Sequence, residues 1–300
     1  MDSRGKTDRT ATRRLNGLEI VFAVGIVCSL ALLVYLNVSD LHAQYIAESH
    51  ISQMEKLYSG ENDPVRLEYK LQAQKYNDRL AGRPVDGEVL EYHKQLFYRE
   101  EPMMASIEIP KISVKLPIYH GADENALMAG VGHWEQSSLP VGGDTAHCVL
   151  MAHTGMRNAR MFDDLHLLVP GDKFVVRALS EPHAYEVFDV EVVEPDDVLG
   201  KLVLKEGEDL TTLVTCTPHG VNSHRLLVHA RRCSYVEAEI GQVGMNSYVN
   251  DRNRPILVAG VLVAAFAFAA ARKTYKANRM KGSARLVEDD EKKEMQDEKS

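Results

Sequence analysis

The apolar positions of this chain fall into three textures. Two long runs lie near the ends, "LEIVFAVGIVCSLALLVYL" at 18–36 and "ILVAGVLVAAFAFAAA" at 256–271, and Glu19 is the only charge inside either. Both approach the length a bilayer-spanning helix requires, so each predicts a transmembrane helix, the second bounded at 255–271. Between 40 and about 101 the apolar residues recur at helical spacing: Tyr45, Ile46, Met54, Leu57 and Tyr58, then Val65, Leu67, Leu71, Tyr76 and Leu80. "SGENDP" divides this region into two helices and "AGRPVDG" ends the second, leaving "EVLEYHKQLFY" as a short helix or a structured loop. From Ala105 the texture changes to short β-like runs between Pro and Gly: "SIEIPKI", "KLPIYHG", "HCVLMAH", "KFVVRAL", "YEVFDVEVV", "LTTLVTC" and "HRLLVHA". That density of short strands predicts a mainly β fold, a closed or nearly closed barrel ending near Ser234, with "NARMFDDLHLL" as a helical interruption.

Charge assigns the sides of the membrane. Arg4, Lys6, Arg9, Arg13 and Arg14 precede the first run, and Arg272, Lys273, Lys276, Arg279 and Lys281 follow the second. The positive-inside bias therefore puts both termini in the cytoplasm and the middle of the chain outside. "DLHAQ" is a poor cleavage site, so the first run is expected to be retained as an anchor. The expected order is a cytoplasmic N-terminus (1–17), a span (18–36), an extracytoplasmic helical extension or lid (37–104), a β-barrel (105–235), a juxtamembrane linker (236–254), a second span (255–271) and a charged cytoplasmic tail (272–300). A formal net charge of −8 over 300 residues, with no basic stripe, argues against a nucleic-acid partner. Of the four cysteines, Cys28 lies in the first run, leaving Cys148, Cys216 and Cys233 outside. An odd number cannot pair fully within one chain, so at least one thiol is free or pairs with another molecule. Nothing in their spacing calls for zinc, and no cofactor is expected.

The chemistry concentrates in "TLVTCTPHGVNSHRLLVHARR", Thr212 to Arg232. A period of two puts Thr212, Val214 and Cys216 on one strand face, and Pro218 with Gly220 then bends the chain away, so Cys216 stands at a strand lip. Arg225, Leu227 and His229 share a face of the next strand. Were the two strands paired around "TPHGVN", the guanidinium would stand beside the thiol, where a cation lowers a thiol's pKa and can hold an acyl oxygen. A cysteine by itself is more often a small buried hydrophobe than a nucleophile, and catalysis needs a partner base. His153 closes "HCVLMAH" at another strand lip, but periodicity does not select it over His133, His147 or His219. Cys148 has the opposite parity to His153, as expected of a buried core thiol.

The stretch resembles the signature of the sortases, cysteine transpeptidases of Gram-positive cell surfaces, in the pilus-assembling class C form T-L-x-T-C-T-P-[YH]-G-[IV]-N-[ST]-H-R-L-L-V. "IPKISVKLPIYHG", "GVGHWEQSSLPVGGDTAHCVLMAHTG", "RMFDDLHLLVPGDKF", "YNDRL" and the second apolar run are similar to that class too, so the likeness covers most of Gln44 to Ala271. The resemblance implies an eight-stranded β-barrel with an N-terminal helical extension and flanking transmembrane helices. It also implies Cys216 as nucleophile, His153 as acid and base, and Arg225 as the substrate-positioning and oxyanion-holding residue. The implied reaction cleaves an LPxTG-like sorting signal between Thr and Gly and passes the acyl group to a pilin lysine. The implied partners are pilin or surface-protein sorting signals, an acceptor lysine or peptidoglycan precursor, and membrane lipid. Housekeeping attachment to peptidoglycan and peptide hydrolysis are the alternative outcomes of the same thioester. One departure stands out: class C sortases commonly carry an Asp-Pro-aromatic lid motif before the barrel. No such triplet occurs between Tyr76 and Met104, and Asp63-Pro64 lies upstream of "YNDRL".

Overall fold

The computed structural model describes residues 17–57, 63–97, 102–156, 160–236 and 260. The chain divides into two units, 1–35 with 249–300, and 36–248. The second unit holds the helical extension and the barrel.

Helix α1 runs over Gly17–Leu57 and α2 over Pro64–Leu80. The expected first span, 18–36, is helical throughout. The helix runs on past 36 into the expected helical extension, with no Gly or Pro in 37–57. Among the described residues no helix is long and apolar enough to cross a membrane. Except for Gly260, the second expected span lies outside the described residues, as do the linker beyond 236 and the charged tail. The Asp63-Pro64 pair is the start of α2: Asp63 accepts a bond from Val65 N at 2.9 Å and Pro64 occupies the first turn, where its missing N–H costs nothing.

Between α2 and the barrel, the described part of "EVLEYHKQLFY", residues 88–97, contains one 3-10 turn, Tyr92–Lys94, and is otherwise irregular. Side-chain anchors hold this segment to the barrel. The Tyr92 hydroxyl lies 2.9 Å from His133 Nδ1 and accepts from Gly121 N at 2.9 Å, His120 Nε2 donates to Gln95 O at 2.7 Å, and Leu96 is fully buried. Arg83 pairs with Asp144 and donates to Thr145 Oγ1.

The eight strands are β1 (Met103–Ile109), β2 (Val114–His120), β3 (Val131–His133), β4 (Ala146–Met151), β5 (Lys173–Ala178), β6 (Glu181–Val193), β7 (Asp209–Thr217) and β8 (His224–Arg232). They close a barrel in the order β1-β2-β3-β4-β7-β8-β6-β5. Seven match the alternating runs of the sequence. The eighth, β3, is three residues long and sits in "GVGHW", too short to show a period. It pairs parallel to β2 and antiparallel to β4, completing the closure. "NARMFDDLHLL" forms less helix than expected: only Leu165–Leu167 is a 3-10 turn, and 157–159 are outside the described residues. The segment is held by burial instead, with Met161, Phe162 and Leu165 in the core. Two short helices complete the domain, α3 (Glu124–Ala129), capped by Asp123, and α4 (Val198–Lys201) in the connection from β6 to β7.

Alternation decides what each strand contributes. Cys148, Leu150, Leu213, Leu226, Val228 and Ala230 point into the barrel and join the main core. Val149, Val214 and Leu227 point outward and form a second apolar cluster with Val198 of α4, flanked by Trp134, Met151, Val193 and Leu202.

Candidate active site

The candidate residues come together through strand register. β4 and β7 run parallel, with Ala146 opposite Asp209 and so on to Met151 opposite Val214. Ala152 N donates to Val214 O at 3.2 Å and Thr215 Oγ1 donates to Ala152 O at 2.8 Å, which carries the alignment past the end of β4. One further residue puts His153 level with Cys216. On the other side of β7, Cys216 is paired directly with Arg225 of β8. His153, just past the end of β4, Cys216 of β7 and Arg225 of β8 therefore fall in one row. Their parity is that of Val149, Val214 and Leu227, so the row faces outward beside the apolar cluster, which forms a floor leading to it.

Local structure fixes each member. The β7–β8 turn has a cis Thr217–Pro218 bond, and Val221 N and Asn222 N both donate to Pro218 O. Arg225 Nη1 donates to Asn222 O at 3.2 Å and to His224 O at 3.0 Å, holding the guanidinium against the turn. Phe162 N donates to His153 O at 3.0 Å, and the Asp163 carboxylate accepts from Gly155 N at 2.7 Å, which shapes the loop behind the histidine. Gly155 has φ +84°, and a Cβ there would lie 3.4 Å from the ring of His219. Cys216 and Arg225 are half-buried, and His153 Nε2 is buried with no hydrogen-bond partner among the described residues.

The other histidines the sequence left open have different surroundings. His133 is fully buried, donates from Nε2 to Ser138 O at 2.9 Å and faces the Tyr92 hydroxyl through Nδ1. Burial pushes its pKa down to about 4, which suits a neutral structural ring. His147 is bonded to Val203 O and Thr212 Oγ1, four rungs and more from the row. His219 is exposed on the turn, 3.3 Å from Thr154 Oγ1. Cys148 lies inside the barrel, 3% exposed, and burial raises its thiol well above the ordinary range, so it is no nucleophile. Cys233 is half-buried beside Val175, Ala184 and Tyr235, away from the row. Sequence reasoning missed the bonding of His147, Thr212 and His229 into one outward-facing network, although the period-two rule already put Thr212 and His229 on the face of Cys216 and Arg225. Among the described residues no group of three or more His, Cys, Asp or Glu is placed to hold a metal ion.

The chain is similar to known proteins over the barrel. The sortase domain model matches residues 107–233. The crystal structure of sortase C1 from Streptococcus agalactiae is 38% identical, with a TM-score of 0.58 over 62% of this chain and 98% of that one. Sortase C of Clostridium perfringens, solved with the C-terminal cell wall sorting motif, is 36% identical, with a TM-score of 0.56 over 63% of this chain and all of that one. Sortase D of Bacillus subtilis is 30% identical over 129 residues, 42% of this chain, and the match spans 62% of that relative's length. By its barrel, its domain match and its relatives, the chain belongs to the sortase family of cysteine transpeptidases, and its solved neighbours include class C sortases.

Proposed function

We propose that the chain is a membrane-anchored transpeptidase that cleaves an LPxTG-like sorting signal between Thr and Gly and transfers the acyl group to a lysine of a pilin. The observation that carries this reading is the row of His153, Cys216 and Arg225 at three strand ends beside an outward apolar floor. The Cys216 thiolate attacks the Thr carbonyl carbon, and the developing oxyanion is held by the Arg225 guanidinium. As the C–N bond breaks, protonated His153 gives its proton to the leaving Gly amine, so a thioester and a free amine result. His153, now neutral, takes a proton from the incoming lysine amine as that nitrogen attacks the thioester, and the Cys216 thiolate is regenerated with an isopeptide bond formed. The buried, unpartnered Nε2 of His153 is consistent with a ring kept free for proton transfer. The Clostridium perfringens neighbour, solved with the C-terminal cell wall sorting motif, supports a sorting signal as substrate. The two apolar runs and their basic flanks support anchoring by two spans, with both termini cytoplasmic and the barrel outside.

The test uses the full chain in detergent micelles with an LPxTG peptide, with and without a lysine-bearing pilin domain, and products identified by mass. A peptide–enzyme thioester lost in Cys216→Ala, and a peptide–pilin isopeptide formed in preference to transfer onto glycine amines, are expected. A thioester that persists in Cys216→Ala sinks the nucleophile, and transfer to short glycine amines with no gain from pilin moves the acceptor to peptidoglycan.

A further inference from the structure

The connection from β6 to β7, residues 194–208, carries α4 over the apolar floor: Val198 and Leu202 pack there on Val149, Val214 and Leu227. A single chain of hydrogen bonds ties this roof to the barrel at two points. His147 Nδ1 bonds Val203 O at 2.9 Å, His147 Nε2 lies 2.7 Å from Thr212 Oγ1, and Thr212 Oγ1 lies 2.9 Å from His229 Nδ1. His229 Nε2 lies 3.1 Å from Glu191 Oε1, and Lys201 Nζ of α4 donates to Glu191 Oε2 at 2.7 Å. The chain thus begins at Val203 and ends at Lys201, both in the connection. His147, Thr212 and His229 are all buried.

Val203 O only accepts, so His147 Nδ1 carries a hydrogen, and the Glu191 carboxylate accepts from His229 Nε2. Burial disfavours charge on His147. Lys201 beside Glu191 holds that carboxylate below its ordinary range, so it stays ionised. The remaining charged groups facing this site are Asp189 of β6 and Lys205 of the connection, around a cavity of about 240 Å3.

We propose that His147, Thr212, His229 and Glu191 are positioning residues that latch the β6–β7 connection over the apolar floor. None of the four touches the reacting atoms; they act through the roof. The inference rests on the transpeptidase reading only for what lies beside the roof, namely the strand-end row that takes the sorting signal.

Amide hydrogen exchange of the full chain in micelles tests the latch without any substrate. Thr212→Val removes the central hydroxyl at nearly constant volume and is expected to lower the protection of 194–208 while β7 and β8 stay protected. Glu191→Gln removes the charge that Lys201 of α4 pairs with and is expected to lower the protection of 194–208 as well. With an LPxTG peptide, Thr212→Val is expected to raise KM several-fold with kcat within about twofold, the pattern of lost binding rather than lost chemistry. Unchanged protection in Thr212→Val, or in Glu191→Gln, overturns the latch. Should Thr212→Val not fold, the Glu191→Gln exchange profile decides alone. A wild-type enzyme that leaves the peptide intact counts against the proposed function, and the exchange results still judge the latch.

Discussion

At the scale of single residues, the row at the strand ends makes Arg225→Lys an informative change. Lysine keeps the charge but loses the planar fork that now donates to Asn222 O and His224 O. If that fork holds an oxyanion, kcat for peptide cleavage is expected to fall roughly 10²–10³-fold, about 2.7–4 kcal/mol in the barrier. Turnover near that of the wild type would reduce Arg225 to a source of charge. His133 makes a prediction about stability. Burial lowers its pKa to about 4 in the folded protein, whereas an unfolded histidine titrates near 6.5. The unfolded state thus binds the proton first: the contribution is complete above about pH 6.5 and is lost as pH falls toward 4, by about 3 kcal/mol in all. His183, pushed by burial down to about 3, acts in the same direction. Urea unfolding measured from pH 7.5 to 4 is expected to show this slope, and His133→Asn to flatten part of it. An identical slope in the variant would assign the acid sensitivity elsewhere.

At the scale of elements, β3 is the strand the sequence hid and also the one most exposed to a small change. A Cβ at Gly132 would lie 2.6 Å from Gly121 O, and one at Gly130 2.6 Å from Pro117 O. Two backbones approach there because Gly121 bridges to His133 and β2 pairs with β3. Gly132→Ala is expected to cost about 1–3 kcal/mol by overpacking, read as a lower Tm in thermal unfolding. A Tm unchanged within error would mean that the β2–β3 edge yields freely. The other elements were easier to read. The β-like runs between Pro and Gly located the seven longer strands, and "SGENDP" marked the break before α2. Helix α1 runs on past 36 because a change from apolar to polar composition does not by itself stop a helix.

At the scale of the whole molecule, the expected topology depends on apolar length and basic flanks, which local sequence expresses fully. With Cys28, Cys216 and Cys233 replaced, Glu124→Cys in exposed α3 is expected to react with a membrane-impermeant maleimide on intact cells. Glu298→Cys is expected to react only after the cells are opened. Labelling of residue 298 from outside would refute the two-span arrangement.

The sequence by itself determined the inventory and the facing of its parts: which stretches are strands, that Cys216, Val214 and Thr212 look the same way, and that Cys148 looks the other. These are consequences of a local geometry in which side chains alternate, so neighbours along the chain are enough to establish them. It did not determine which histidine meets Cys216, since His133, His147, His153 and His219 have similar local surroundings and only family resemblance chose among them. That choice depends on β4 lying parallel to β7 with Met151 opposite Val214, a pairing of residues more than sixty positions apart. The latch likewise needs four separate elements brought together, from Glu191 of β6 to His147 of β4. Register between distant strands is set by how the whole barrel closes and buries its core, and no local pattern encodes it.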